Sequence, residues 1–162
     1  MQKITPCLWF DDQAEEAAKF YTSIFPNSKI GNISRYGEAG QDVHGKTAGT
    51  VMTVAFELDG QAFTALNGGP IFQFNEAVSL QVDCESQEEV DYYWQKLSEG
   101  GDETAQQCGW RKDKYGVSWQ IVPRVLIEIL DDADESKSQR AMTAMLKMKK
   151  IDIDELKRAT VA

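Results

Sequence analysis

LWFDDQAEEAAKFYTSIF, from Leu8 to Phe25, reads as a short apolar strand running into an amphipathic helix, and the second half of the chain repeats it. Under a shift of about 73 residues Glu15-Glu16 falls on Glu88-Glu89, Ala17 on Val90, Phe20 on Tyr93, Tyr21 on Trp94 and Ile24 on Leu97. Asp12 followed by Glu15, and Ser86 followed by Glu89, each have the spacing of a capping box, in which two side chains satisfy orphan N–H groups at a helix start. Ala14, Ala17, Ala18, Tyr21, Ile24 and Phe25 recur at three- and four-residue steps and so share one face, which must be buried. Pro26-Asn27 ends the first helix and Gly100-Gly101 the second.

Outward from this repeat, Ile4 to Phe10 is an opening strand and Lys29 to Tyr36 a second one. Gly37 to Gly49 is a polar loop that carries the single histidine, His44. Thr50 to Leu58 and Gln61 to Asn67 alternate around Asp59-Gly60, a pair that favours the positive φ angles of a type I′ hairpin turn. The first half is therefore β-α-β-β-β. In the second half Val78 to Asp83 is the opening strand. Gly101 to Gln107 is a weak strand, and Trp110 to Lys114 and Val117 to Val122 flank a hairpin at Tyr115-Gly116. The same β-α-β-β-β order results. The fold expected is α+β, with mostly antiparallel sheets and C-terminal helices. It is one domain over residues 1–162, divided into module one (1–68), a linker (69–76), module two (77–130) and a helical extension (131–162). In the extension Ser136 is the expected cap of a helix burying Ala141, Met142, Met145, Leu146 and Met148, and Ile151 to Arg158 forms one more short helix.

Seventeen basic against twenty-six acidic side chains leave a net charge of -9, which repels phosphate backbones and anionic membranes, so neither nucleic acid nor membrane is expected as a partner. Cys7, Cys84 and Cys108 lack metal-ligand spacing and suit a reducing compartment. With no apolar run of membrane-spanning length and no charged-then-apolar leader pattern, the expected location is cytoplasmic.

Three stretches carry a family resemblance: CLWFDDQAEEAAKFYTSIFPNSKI (Cys7 to Ile30), ALNGGPIFQFNEAVS (Ala65 to Ser79) and CGWRKDKYGVSWQIVP (Cys108 to Pro123). They resemble the PhnB-like family, described as 3-demethylubiquinone-9 3-methyltransferase, within the vicinal oxygen chelate or glyoxalase/bleomycin-resistance superfamily. AMLKMKKIDI near the C-terminus also fits. The resemblance implies two curved sheets around a cleft and a homodimer. It also implies, in metal-dependent relatives, His and Glu ligands on the first and last strand of each module. At those positions this chain has Pro6 or Leu8, Ser79 or Gln81, and Thr64 and Gln120.

Hydroxyls and neutral amides are poor ligands for divalent transition metals, and one histidine cannot build a two-histidine site, so no metal or cofactor is expected. Polar residues on an inner sheet face either bond one another and water or bind a ligand. The ligand-binding candidates are Trp9, Phe10, Thr64, Asn67, Phe74, Ser79, Gln81, Trp119 and Gln120. Strand alternation allows only one of Trp119 and Gln120 to face the cleft. Asn67 before Gly68-Gly69 has two readings, turn chemistry or ligand contact. Cys108 has no histidine nearby in sequence to activate it. Two functions follow: a small-molecule binding module, or a metal-independent enzyme on a small metabolite. Methyl transfer is disfavoured, because a methyl donor is usually held by a parallel α/β sheet with a glycine-rich strand-to-helix turn.

Overall fold

A computed structural model of the chain describes residues 2–161. It divides into two compact units, Met1–Phe74 and Asn75–Ala162. In the first, β1 (Cys7–Phe10) leads into α1 (Ala14–Ile24), followed by β2 (Lys29–Arg35), a four-residue helix α2 (Gln41–His44), β3 (Val51–Leu58) and β4 (Gln61–Asn67). The sheet order is β1-β4-β3-β2. β1 runs parallel to β4, since α1 returns the chain so that β2 starts in the direction of β1 and two antiparallel steps follow, and the other neighbours are antiparallel.

One face of this sheet carries Leu8, Phe10, Val54, Phe56, Leu58, Phe63 and Ala65, all buried. Against it lies the face of α1 expected from the sequence: Ala14, Ala17, Ala18 and Tyr21 are fully buried and Ile24 nearly so. Three alanines let the helix approach the sheet closely, and Tyr21 stacks on Phe56. Each large side chain buried in this way contributes on the order of 1.5–3 kcal/mol. The Asp59-Gly60 turn has φ of 48° and 80°, as a type I′ hairpin requires.

The start of α1 differs from the capping-box expectation. No side chain at the helix N-terminus caps it. Instead the Ala14 N–H donates to Oδ1 of Asn67, 2.8 Å away, at the end of β4. Asn67 lies beside the helix start because β4 pairs with β1, putting Asn67 opposite Phe10. The second copy keeps its local cap: the Glu89 N–H donates to Ser86 Oγ at 3.2 Å, while Glu89 Oε2 accepts the Glu85 N–H at 2.7 Å.

The second unit repeats the topology. β5 (Ser79–Cys84), α3 (Gln87–Ser98), β6 (Gln106–Gln107), β7 (Trp110–Lys112) and β8 (Ser118–Pro123) form a sheet of order β5-β8-β7-β6, with β5 parallel to β8. Val90 and Leu97 of α3 are fully buried, as are Ala17 and, within a few per cent, Ile24 at the matching positions of the first copy. The weak strand expected from Gly101 is confined to Gln106–Gln107. It turns at Cys108-Gly109, where φ is 52° and 82°. That two-residue turn is a hairpin the sequence hides, because cysteine replaces the usual Asn or Asp. Tyr115-Gly116 lies in a wider loop organised by Asp113: its Oδ1 accepts the Tyr115 and Val117 N–H groups and its Oδ2 the Trp119 indole N–H.

Beyond β8 come α4 (Arg124–Leu130), α5 (Glu135–Met145) and α6 (Ile153–Val161). α4 lies at the end of module two, and its apolar VLIEIL run lacks a local side-chain cap. α5 is capped by Asp134 rather than Ser136, with Oδ1 accepting two N–H groups. Leu126, Ile129, Ala141, Met148, Ile151 and Leu156 form a core of their own. Of the residues expected to be buried there, Leu146 is instead exposed. Gln87 holds this extension to α3, donating to Ile151 O at 3.0 Å and accepting the Ile153 N–H at 2.8 Å.

Candidate functional site

Alternation along each strand sorts the candidate residues. In the first sheet Trp9 and Thr64 lie on the face turned away from α1, half-buried. The Trp9 indole N–H donates to Gly69 O at 2.9 Å, its ring meets Phe72 edge-on at 5.0 Å, and a Cβ added at Gly68 would come within 2.2 Å of the indole. Phe10 points the other way, is 2% exposed and packs edge-on against Phe74 in the core. Asn67 is also on the α1 side. Besides capping α1, its Nδ2 donates to Val51 O at 3.1 Å and its own carbonyl accepts from the Tyr36 hydroxyl. Its amide is spent within the fold, and its turn reading becomes a helix cap supplied from a distant strand.

In the second sheet Trp119 and Arg111 share the face covered by α3, both 2% exposed. Arg111 donates to Ser98 O at 2.9 Å, at the C-terminal end of α3, and lies over the Trp94 ring. A helix C-terminus is a favourable place for a cation that has lost its water, and burial lowers the Arg111 pKa. The opposite face carries Ser79, Gln81, Ser118, Gln120, Trp110 and Lys112. Gln120, not Trp119, is therefore the residue on this open face. Its Nε2 donates to Ser79 Oγ at 2.8 Å, and Gln81 Nε2 approaches its Oε1 at 3.4 Å. Three of the sequence candidates are thus brought together, and they satisfy one another.

Next to this network is a cavity of about 500 Å³, lined among others by Trp110, Lys112, Ser118, Gln107, Cys108 and Glu76. Trp110 is paired across the ladder with Gln120, and Ser118 with both Ser79 and Lys112. Ser118 is 3% exposed, and its hydroxyl is buried with no hydrogen-bond partner among the described residues. Lys112 forms an ion pair with Glu76. None of these lining residues was a ligand candidate by sequence, though the alternation of Trp110 with Lys112 and of Ser118 with Gln120 was available as a signal. A second, more polar hollow in the first unit is lined by Asp12, Glu15, Lys46, Thr47 and Asn67.

The arrangement has counterparts. A family described as 3-demethylubiquinone-9 3-methyltransferase matches residues 2–122. The chain belongs to this family, the PhnB-like proteins. A PhnB protein from Bacillus cereus, which carries the same methyltransferase description, is 42% identical, with a TM-score of 0.65 over 75% of this chain and 99% of its own. A protein from Pseudomonas aeruginosa, 18% identical, shares the fold at a TM-score of 0.57 over 76% of this chain and 98% of its own. No curated protein matches. The family match ends at the last strand, so α4 to α6 lie outside it, as does the resemblance read in AMLKMKKIDI.

The positions at which the resemblance implies metal ligands do not fit a divalent transition metal. Thr64 offers a hydroxyl, while Ser79, Gln81 and Gln120 offer a hydroxyl and two amides already bonded together. Among the described residues no group of three or more His, Cys, Asp or Glu side chains is placed to hold a metal ion. His44 lies in α2, with Nδ1 accepting the Lys46 N–H and the ring 4.6 Å from Tyr36.

Proposed function

We propose that this PhnB-like protein binds a small molecule in the cavity on the open face of its second sheet, without a catalytic metal. The observation that carries the reading is the buried, unpartnered Ser118 hydroxyl lining a cavity of about 500 Å³. A buried hydroxyl without a partner costs free energy, about 1–3 kcal/mol, that a ligand recovers on binding, and the volume is that of an ordinary small-molecule site. Trp110 supplies an aromatic wall, and the Ser79–Gln120 pair beside it holds the neighbouring strands in register.

A binding module is favoured over an enzyme by the titratable groups present. Glu76, in the cavity, is held below its ordinary pKa, first by its bond to Lys112. Burial, with Glu89 and Asp83 adding to it, pushes the Cys84 thiol up to about 12, far from a nucleophile's range. Methyl transfer finds no support in the donor set: the strand-to-helix turns Asp11-Asp12-Gln13 and Glu85-Ser86 contain no glycine to admit a cofactor's backbone contacts. Cytoplasmic location and homodimerisation belong to the same reading. No described helix is long and apolar enough to cross a membrane, and Ile71, Phe72 and Val78 leave large apolar side chains exposed.

A thermal-shift screen of the purified full chain against metabolites tests binding. Hits should raise the melting temperature of the native protein and lose that effect in Trp110→Ala. A screen in which every hit acts equally on the Trp110→Ala variant would remove the cavity from consideration. Elemental analysis of untagged protein should find well under one equivalent of zinc, nickel, iron or manganese, and a chelator should leave the melting temperature unchanged.

A further inference from the structure

Lys112 and Ser118 face the same space from adjacent antiparallel strands, directly opposite each other in the ladder. Opposed residues of this kind have Cβ atoms about 5 Å apart, so an ammonium and a hydroxyl are carried by neighbouring strands on one face of the sheet. The other cation of the lining, Arg111, donates through Nη2 to Ser98 O under α3 and lies over the Trp94 ring, while its buried Nε and Nη1 have no hydrogen-bond partner among the described residues. What sits on Lys112 in this structure is a carboxylate from the chain itself, Glu76, on the segment just before β5.

That carboxylate is poorly suited to be a permanent partner. The Glu76 side chain is 65% exposed, against 32% for Lys112, so the pair is open to water on one side. Exposed ion pairs of this kind contribute little, since water and salt screen them. Glu76 also leaves Ser118 Oγ unsatisfied. A carboxylate entering from the cavity would take both donors, with its charge in a less hydrated place where charge-assisted hydrogen bonds are stronger. The net charge of -9 opposes anions at long range, so recognition must come from these local donors.

We propose that the cavity takes a small carboxylate with an apolar body, its charged group on Lys112 and Ser118 and its body against Trp110, and that Glu76 occupies Lys112 in the ligand's place when the cavity is empty. This rests on the binding reading above and specifies the ligand's chemistry. The prediction separates a placeholder from a true contact: removing Glu76's charge strengthens anion binding, whereas it would weaken binding of a cation.

The test is titration of the full chain with benzoate, benzamide and benzylamine, followed by chemical-shift changes at the Trp110 indole. Benzoate should bind at least about tenfold more tightly than benzamide, the size of one to two kcal/mol of charge-assisted bonding. Lys112→Met should abolish that preference and Ser118→Ala reduce it, while Glu76→Gln should tighten benzoate severalfold. Both Lys112 and Glu76 are partly exposed, and melting curves confirm that each variant is folded. Benzamide or benzylamine binding at Trp110 as tightly as benzoate would overturn the anion proposal and leave the binding reading standing. Benzoate weakened by Glu76→Gln would overturn the placeholder role. Absence of benzoate binding up to millimolar concentration would also overturn the proposal, while the metabolite screen decides separately whether the cavity binds anything.

Discussion

Asn67 shows how one side chain carries more structure than its neighbourhood in sequence implies. It accepts the Ala14 N–H, donates to Val51 O, and its own carbonyl receives the Tyr36 hydroxyl, so it ties α1, β3 and the end of β2 to β4. Replacing it by alanine removes a helix cap, worth about 1 kcal/mol, and leaves Val51 O with one partner fewer. Asn67→Ala should lose about 1–3 kcal/mol, read as a lower urea midpoint with an unchanged slope. A midpoint equal to that of the native chain would show that water caps α1 equally well. In sequence Asn67 has only a turn or a ligand reading, because Gly68-Gly69 follows it. The hydrogen bond from Ala14 to Asn67 spans 53 residues and is invisible locally.

Among the elements, α3 and the C-terminal helices are coupled through Gln87, whose amide makes the two hydrogen bonds that a neighbouring backbone would make, one to Ile151 O and one from Ile153 N. Lys150 adds an ion pair to Asp91, one turn further along α3, at 2.7 Å. Gln87→Ala should speed amide exchange in α6 by roughly 5- to 30-fold, the equivalent of 1–2 kcal/mol, while leaving α1 unchanged. Equal exchange in α6 would mean that the apolar contacts of Ile151 and Leu156 dock the extension alone. The repeat that organised the sequence reading survives at this scale in the two β-α-β-β-β units. The way each helix starts does not repeat, since one cap is local and the other comes from a strand end.

For the molecule as a whole, acid should act through several surface carboxylates at once. Asp91, Asp102 and Asp132 are held below the ordinary aspartate value, chiefly by hydrogen bonds from Lys150, from Thr104 and from Lys137 respectively. A folded-state pKa below the unfolded one stabilises fully above the unfolded value, about 3.9 for aspartate. That stabilisation is lost as pH falls through the folded value. The melting temperature should therefore be flat from neutrality to about pH 5 and fall below about pH 4. Asp91→Asn should melt lower than the native chain at neutral pH and converge with it in strong acid; a constant offset across the range would contradict this. The exposure of Ile71, Phe72 and Val78 further predicts that sedimentation at micromolar concentration yields a species of about twice the 18.2 kDa chain mass. A single 18.2 kDa species would argue against the dimer.

By itself the sequence determined the family, the paired β-α-β-β-β units, the buried face of α1 and the Asp59-Gly60 hairpin, because each is written in periodicities and turn preferences that act over a few residues. Only the tertiary structure decided that Phe10 and Trp119 belong to the helix-covered faces and Trp9 and Gln120 to the open ones, since the phase of a strand depends on which face its helix covers. It also decided that Ser79, Gln81 and Gln120 meet. The cavity at Trp110, Lys112 and Ser118 arises from two short strands and a Cys108-Gly109 turn without the usual hairpin residues. Its ion pair joins Glu76 to Lys112, residues far apart in the chain that only the folded backbone brings together.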